Sequence, residues 1–344
     1  MIGDLELANL VGATPGDLAA RALGIVRLAI PIPLSQTGGP ASVYLIDNAD
    51  GSLSLFDTAL GTTESLRALE QGFTEAGRRV EEVTRILVSH GHVDHFGGAR
   101  QVAGRSGARV FVHPADASKV TRFLWPEAVR ERHRRYLRRM GVPGALVAEL
   151  EGMEETNELL GERVEAAEPL VEGERIAFAR FEAEVMHLPG HTAGLVGLHV
   201  PERRVLLSSD FLLPGVLPNP MLELGEGGEE GKLRSLDAYF ESSRRVEALE
   251  LDWILPGHGE PFADHRAVLA WLERARERRQ AELLERFREG PRTAFELACG
   301  GRGRVRRLQL FMVLSEIIGT LERMETLGTV RRVEREGCYR FEPA

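Results

Sequence analysis

The stretch His90-Gly91-His92-Val93-Asp94-His95 constrains this chain more than any other part of its sequence. It places three imidazoles and one carboxylate within six residues, directly after the apolar run 86–88. Imidazole and carboxylate are preferred ligands of zinc and its first-row neighbours. Because buried His and Asp side chains are costly without a partner, the cluster at the end of a strand predicts a metal site.

Three further polar motifs follow strand-like apolar runs later in the chain. They contribute His191 in the turn 187–192, Asp210 after two serines, and His258 between two glycines. A glycine before His191 lets the backbone bend sharply enough to aim the imidazole inward. Four ligand-bearing loops, each at the end of a strand, predict a hydrolytic site for two metal ions.

The spacing of the ligands suggests how they divide between two ions. His90 and His92 stand two residues apart, so in extended backbone both project to one side and can bind one ion together. Asp94 and His95 follow one short turn later and suit a second ion. Asp210 can bridge the two ions through its two carboxylate oxygens. The predicted set serves two divalent ions roughly 3.5 Å apart, with zinc as the default and iron or manganese as alternatives.

Composition bounds the class of protein. The 344 residues are 43% apolar and 28% charged, which is typical of a soluble globular protein. No apolar run approaches the roughly 18 residues that a membrane helix needs, and the acidic N-terminus lacks the basic region of a signal peptide. Cys299 and Cys338 form no metal-binding spacing. We therefore expect a cytoplasmic protein that does not interact with membranes.

The pattern of elements predicts two domains. Residues 1–263 have the strands and helices of an α/β catalytic domain, with a helix capped at Thr62 or Thr63, a buried strand at 83–89 and an amphipathic helix at 232–250. A helical insertion at about 115–161, including a helix over 122–140, interrupts this rhythm. Residues 264–344 contain a long helix followed by helix, helix and hairpin, the winged-helix pattern.

The four motifs, in order and spacing, resemble the metallo-β-lactamase superfamily, whose signature is HxHxDH. The resemblance covers about residues 22–262. It implies an α/β fold, a four-layer αβ/βα sandwich with the metals at one edge, followed here by a small C-terminal winged-helix-like domain. It also implies that the first ion is held by His90, His92 and His191, and the second by Asp94, His95 and His258, with Asp210 bridging them.

A metal pair of this kind would lower the pKa of a bridging water and make it a hydroxide nucleophile. Asp94 is the predicted catalytic residue, which would orient the hydroxide; proton transfer to the leaving group is a second role open to it. Asp57 resembles a strand-end acid that supports the metal loops through hydrogen bonds. His187 is expected to pack, or to hydrogen-bond to a ligand loop, rather than to bind metal.

The C-terminal pattern resembles the β-lactamase-like protein 2 branch of the superfamily, in which some members are endoribonucleases acting on single-stranded RNA. Three functions are therefore carried forward: an ester or thioester hydrolase resembling hydroxyacylglutathione hydrolase, a phosphodiesterase or ribonuclease, and a winged-helix DNA-binding regulator. A small-molecule hydrolase is preferred. The RNA alternative depends on Arg302, Arg304, Arg306 and Arg307, and a C-terminal segment that packs or forms a homodimer is a fourth alternative.

The insertion bears on the substrate as well. Residues 122–125 and 130–139 mix aromatic and cationic side chains near the expected mouth of the site. They suit an acidic or acyl-bearing substrate, and they equally suit the outer face of a lid.

Overall fold

Two β-sheets packed face to face form the centre of the molecule. The computed structural model describes residues 14–33, 39–122, 126–225, 228–229, 231–300 and 307–344. The first sheet has the order β1-β2-β3-β4-β5-β6, and these strands are Ile25–Ile30, Ala41–Asp47, Leu53–Phe56, Val83–Val88, Arg109–Val112 and Glu168–Pro169. The second has the order β11-β10-β9-β8-β7, and β7 to β11 are Arg175–Ala177, Glu182–His187, Val196–Val200, Val205–Ser209 and Trp253–Pro256. Strands β3 to β6 are parallel, as are β10 and β11.

Helices cover the outer faces of both sheets and build the rest of the molecule. In chain order, α1 to α11 are Pro15–Ala22, Thr63–Glu75, Val93–Phe96, Ala99–Ser106, Pro114–Thr121, Glu127–Arg139, Gly144–Leu160, Ser235–Glu247, His265–Glu285, Ala294–Cys299 and Arg307–Thr326. A hairpin of β12 (Val330–Arg335) and β13 (Cys338–Pro343) ends the chain. Within the described ranges, none of the helices combines the length and apolar character needed to cross a bilayer.

Side-chain alternation along the strands produces the layers. On β10, Val205 and Leu207 point into the core between the two sheets, whereas Leu206 points into the core under α8 and α9. This is the period of two that a strand imposes on its side chains. A third core joins the first sheet to α2 and α4. The order helix, sheet, sheet, helix confirms the predicted αβ/βα sandwich.

The starts of three helices can be compared with those predicted from the sequence. Thr62 caps α2 by accepting a hydrogen bond from the Ser65 amide, as expected. The helix predicted over 122–140 is wrong at its start: α6 begins after Pro126, which fits only at a helix terminus. The helix predicted from residue 232 begins instead at Ser235, and Lys232 forms a buried ion pair with Glu322.

The C-terminal elements follow the expected order, with the long helix α9, then α10, α11 and the hairpin. Thr293 and Glu296 form a reciprocal capping box at the start of α10. A winged-helix identity for this segment stays a prediction. The side chains of Arg302, Arg304, Arg306 and Arg307, on which the RNA alternative depends, lie outside the described residues, as do residues 123–125 of the insertion.

The C-terminal segment and the helical insertion share one hydrophobic core. That core contains Leu137 of α6 and Met140 directly after it, together with Leu314 and Leu321 of α11. The backbone also connects the two regions, because the Phe295 amide donates to the Met140 carbonyl at 3.1 Å. The segment therefore packs onto the insertion over a continuous apolar interface.

This shared core predicts the effect of truncating one side chain in it. Leu321 is fully buried, so Leu321→Ala should lower the free energy of unfolding by about 2–5 kcal/mol. Leu327→Ala, at a position that is 49% exposed, should change it by less than about 0.5 kcal/mol. Chemical denaturation of the full chain measures both. A Leu321→Ala variant that shifts only a separate, early transition would show that the C-terminal segment folds independently.

Candidate metal centre

The ends of four strands bring the predicted ligand loops to one edge of the sandwich. β8 and β10 run in the same direction, since each is antiparallel to β9, and β11 is parallel to β10, so their carboxyl ends lie side by side. The end of β4 in the other sheet joins them through the Val196 amide, which donates to the Ser89 carbonyl at 2.9 Å. Both sheets therefore contribute loops to one site.

The first group of side chains consists of three imidazoles. His92 Nδ1 lies 3.0 Å from His90 Nε2 and 3.0 Å from His191 Nε2. Burial lowers the pKa of all three imidazoles, that of His92 to about 3. They are therefore neutral near pH 7, and the neutral imidazole is the form that binds a metal ion.

The second group combines Asp94, His95 and His258. Asp94 Oδ2 lies 3.5 Å from His258 Nε2 and 4.0 Å from His95 Nε2. Asp210 Oδ2 lies between the two groups, at 3.4 Å from His258 Nε2, 3.5 Å from His95 Nε2 and 3.7 Å from His191 Nε2. The structure thus brings all seven predicted residues together, with one carboxylate oxygen placed to contact both groups.

The donor atoms of this cluster fit divalent metal ions. Among the described residues, His95 Nε2, both ring nitrogens of His258 and Asp210 Oδ1 are buried without a hydrogen-bond partner. Such atoms are costly unless something binds them. In a tetrahedral zinc site with bonds of roughly 2.0–2.1 Å, neighbouring ligand atoms lie about 3.4 Å apart. The spacings between donor atoms here run from 3.0 to 4.0 Å, on either side of that value.

Two glycines give the ligand loops the room that this crowding needs. Gly190 has a φ of 144°, and a Cβ there would lie 2.5 Å from the Tyr239 side chain. The glycine therefore allows the turn that carries His191, as predicted. A Cβ on Gly257 would lie 2.2 Å from Asp210 Oδ1, so the backbone before His258 must approach the carboxylate without a side chain.

Asp57 supports the cluster, in agreement with the expectation from sequence. Its carboxylate accepts hydrogen bonds from His95 Nδ1 at 2.8 Å and from the Ser89 amide at 2.7 Å. A partner on Nδ1 leaves Nε2 of His95 to face the other ligands and fixes the orientation of the ring. His187, in turn, lies 2.7 Å through Nε2 from the Ala193 carbonyl, so it contacts a ligand loop and stands outside the ligand cluster.

Asp116 is a functional residue that sequence reasoning missed. Its buried carboxylate accepts hydrogen bonds from the Gly91 amide at 2.8 Å and from Thr192 Oγ1 at 2.7 Å. It therefore ties the loop of His90 and His92 to the loop of His191. Burial alone would raise the pKa of Asp116, but Lys119 donates to the carboxylate at 2.8 Å, and this ion pair lowers the pKa to about 2. The only sequence signal was an acid in the first turn of a helix that follows β5.

The C-terminal helices hold the loop that orients His191. The ring Nδ1 of His191 lies 2.9 Å from the Asn219 carbonyl, and Asn219 Nδ2 donates to the Met312 carbonyl of α11 at 2.9 Å. From α9, the Arg276 guanidinium donates through Nη2 to the Pro218 carbonyl. Arg276 is 2% exposed. The loop 218–220 is thus clamped between the metal centre and two helices of the C-terminal segment.

Two arginines of the helical insertion are engaged in ion pairs within the protein. Arg134 of α6 pairs with Glu127 and Glu131, and Arg139 pairs with Glu229 and Glu334. These contacts are those of a charged helix surface and its neighbouring elements.

Known proteins resemble this chain along most of its length. A sequence profile of the metallo-beta-lactamase superfamily matches residues 36–258. The probable metallo-hydrolase YqjP of Bacillus subtilis (strain 168) is 24% identical over 311 residues, spanning 87% of this chain and 92% of that protein. The acyl-coenzyme A thioesterase MBLAC2 of Homo sapiens is 26% identical over 246 residues, spanning 67% and 77%. The crystal structure of the metallo-beta-lactamase family protein TTHA1429 from Thermus thermophilus aligns with a TM-score of 0.78 at 31% identity, covering 93% and 99%.

Removing the central carboxylate should weaken metal binding at both groups of ligands. Because Asp210 Oδ2 is the atom close to both, Asp210→Ala should lower metal affinity by more than the roughly 10–100-fold lost when an outer hydrogen-bond partner is removed. Mass spectrometry of the bound metals and chelator competition measure this. Asp252→Ala, at an exposed aspartate paired with Arg204, is the control. Full metal content in Asp210→Ala would contradict the placement of this residue.

The contacts that hold loop 218–220 predict that replacing Arg276 weakens metal binding but leaves the free energy of unfolding nearly unchanged. Arg276 Nε and Nη1 have no hydrogen-bond partner among the described residues, so Arg276→Met should change the free energy of unfolding by less than about 1 kcal/mol. Metal affinity should nevertheless fall roughly tenfold, because the loop that orients His191 is released. Arg274→Met, at an exposed position of the same helix, should change neither quantity. Unchanged metal affinity in Arg276→Met would show that the clamp does not act on His191.

Proposed function

The chain belongs to the metallo-beta-lactamase superfamily and is a hydrolase, and we propose that it hydrolyses acyl thioesters with a pair of divalent metal ions. The observation that carries the proposal is the convergence of two ligand groups on Asp210 Oδ2 at one edge of the sandwich. Similarity to an acyl-coenzyme A thioesterase over 67% of this chain supports the choice of substrate.

The seven residues of the cluster define the roles in this proposal. His90, His92 and His191 would hold one ion; Asp94, His95 and His258 would hold the other; Asp210 would contact both. Bound zinc, or iron or manganese in its place, would supply an acidified water and polarise the scissile carbonyl. Asp94 would orient the attacking water as a hydrogen-bond acceptor, since its carboxylate faces the same space as His258 Nε2.

A thioester suits this site for a chemical reason. A thiol has a pKa of about 8.5, far below that of an alcohol, so the leaving group departs as an anion near neutral pH. The reaction then does not depend on a dedicated acid to protonate the leaving atom. A carboxylate that orients water and a polarising centre for the carbonyl are sufficient.

The RNA alternative has less support from the described residues. Arg130, Arg134, Arg138 and Arg139 of α6 pair with glutamates, and the C-terminal helices pack on the insertion and on loop 218–220. The C-terminal segment therefore has a structural role, packing on the insertion and on loop 218–220, that does not require nucleic acid. We therefore propose a small-molecule substrate.

The proposed location of the protein is the cytoplasm. Cys299 and Cys338 are unpaired, which agrees with a reducing compartment. Homodimer formation stays a prediction.

One assay tests the function. Zinc- or manganese-loaded protein is given decanoyl-coenzyme A, a simple ester and single-stranded RNA, with release of thiol, acid or RNA fragments as the measurement. We expect thioester hydrolysis that is lost on chelation and reduced on the order of 1,000-fold in Asp210→Ala. The Asp252→Ala control should retain it. RNA cleavage that is sensitive to chelation, with the thioester intact, would replace the thioesterase proposal with the nuclease alternative.

A further inference from the structure

A cavity of about 250 Å³ lies between the helical insertion, residues 222–225, 231 and 233, and helix α11. Its wall is mainly apolar and includes Leu137, Leu150, Leu222, Leu224, Leu233 and Phe311. Ala115, Gly225 and Gly231 are exposed where they line it, so its rim reaches the surface. Insertion and C-terminal segment thus enclose a space that neither would form alone.

One end of the cavity abuts the ligand loops of the metal centre. Lys119 lines the cavity and packs on Gly91, whose Cβ, if present, would lie 2.6 Å from Lys119 Cδ. Gly91 stands between two of the predicted ligands. Ala193 also lines the cavity, two residues after His191, and its amide donates to Glu223 at 3.3 Å. A group bound in the cavity therefore lies next to the site where a substrate would react.

The polar groups of the wall are already engaged within the protein. The Lys119 ammonium donates to Asp116 at 2.8 Å and to Glu223 at 2.6 Å. His133 Nε2 lies 2.9 Å from the Gly225 carbonyl, and Arg130 pairs with Glu127. A polar ligand would have to displace these contacts, whereas an apolar chain would use the leucine-lined surface and leave them intact.

We propose that this cavity receives the acyl chain of the thioester, so that the enzyme prefers apolar acyl chains to short or hydroxylated acyl groups. The inference rests on the proposed thioesterase function. The volume of the cavity suits part of a ligand, because sites that enclose a whole drug-sized molecule measure roughly 300–1,000 Å³. The bulky nucleotide of coenzyme A would remain outside. Each methylene that the cavity buries should favour binding roughly fourfold.

The first test narrows the cavity with a tryptophan. Leu233 is half-buried on its wall, and Leu233→Trp in the metal-loaded full chain should lower kcat/KM for decanoyl-coenzyme A at least ~10-fold, because the chain loses the space for several methylenes. Acetyl-coenzyme A should be hydrolysed within ~2-fold of the wild-type rate, since its chain does not reach the cavity. The matched control is Leu159→Trp, on a leucine that is 80% exposed and outside the wall. Equal effects on both substrates, or none, would overturn the inference.

A second variant covers the case in which Leu233→Trp fails to fold. Phe311 is half-buried at the cavity wall, so Phe311→Ala should enlarge the space and move the preferred acyl chain from decanoyl towards tetradecanoyl. An unchanged chain-length profile in a folded Phe311→Ala variant would also overturn the inference.

A binding measurement separates the cavity from the proposed function. The probe is S-decyl-coenzyme A, a thioether that cannot be hydrolysed, followed by calorimetry on the metal-loaded full chain. If the wild type binds it, Leu233→Trp does not and no thioester is hydrolysed, the cavity is shown to bind an apolar chain, but the thioesterase proposal fails and with it the assignment of that chain as a substrate acyl group. If thioesters are hydrolysed but S-decyl-coenzyme A binds both proteins equally, the thioesterase proposal stands and the cavity inference fails. Absence of both hydrolysis and binding overturns both.

Discussion

The convergence of seven ionisable side chains, six of them buried, at one edge of the sandwich is the constraint on which the rest of the structure depends. Carboxylates and imidazoles removed from water are stable only when charges and hydrogen-bonding atoms are matched. Asp57 and Asp116 provide part of that match from outside the cluster, each joining elements that are distant in sequence. Some buried nitrogen and oxygen atoms of the cluster, such as His95 Nε2, have no hydrogen-bond partner among the described residues. Bound cations would stabilise these atoms.

The helical insertion and the C-terminal segment belong to this arrangement. Both contribute to one hydrophobic core, and together they enclose the cavity beside the metal loops. The same segment reaches the centre a second time through Arg276 and the Met312 carbonyl, which hold loop 218–220 against His191. A change in the C-terminal helices can therefore alter both substrate fit and metal geometry, although none of these helices contributes a ligand to the described cluster.

The sequence predicted the catalytic fold and the cluster well because both depend on local signals. The strands after which His90, Asp210 and His258 occur are short apolar runs, and the ligand types are rare enough at such positions to identify the chemistry. Asp116 and Asn219 carried no comparable signal. Each acts through contacts with residues 25 or more positions away, and Asn219 contacts His191 through a backbone carbonyl that any residue possesses. The helix start near Lys232 was shifted for the same reason, since Lys232 pairs with the distant Glu322, whereas the start of α6 follows from Pro126 itself.

By itself, the sequence determined which atoms are available for chemistry: imidazoles, two carboxylates and the glycines beside them, each at the end of a strand. It also predicted the layered sandwich, which the resemblance of its four motifs to the metallo-β-lactamase superfamily implies. Only the tertiary structure decided that Asp210 Oδ2 lies between two ligand groups, that the C-terminal helices clamp the His191 loop, and that a cavity opens beside it. Those features arise from distances between segments far apart in the chain, which local patterns do not encode.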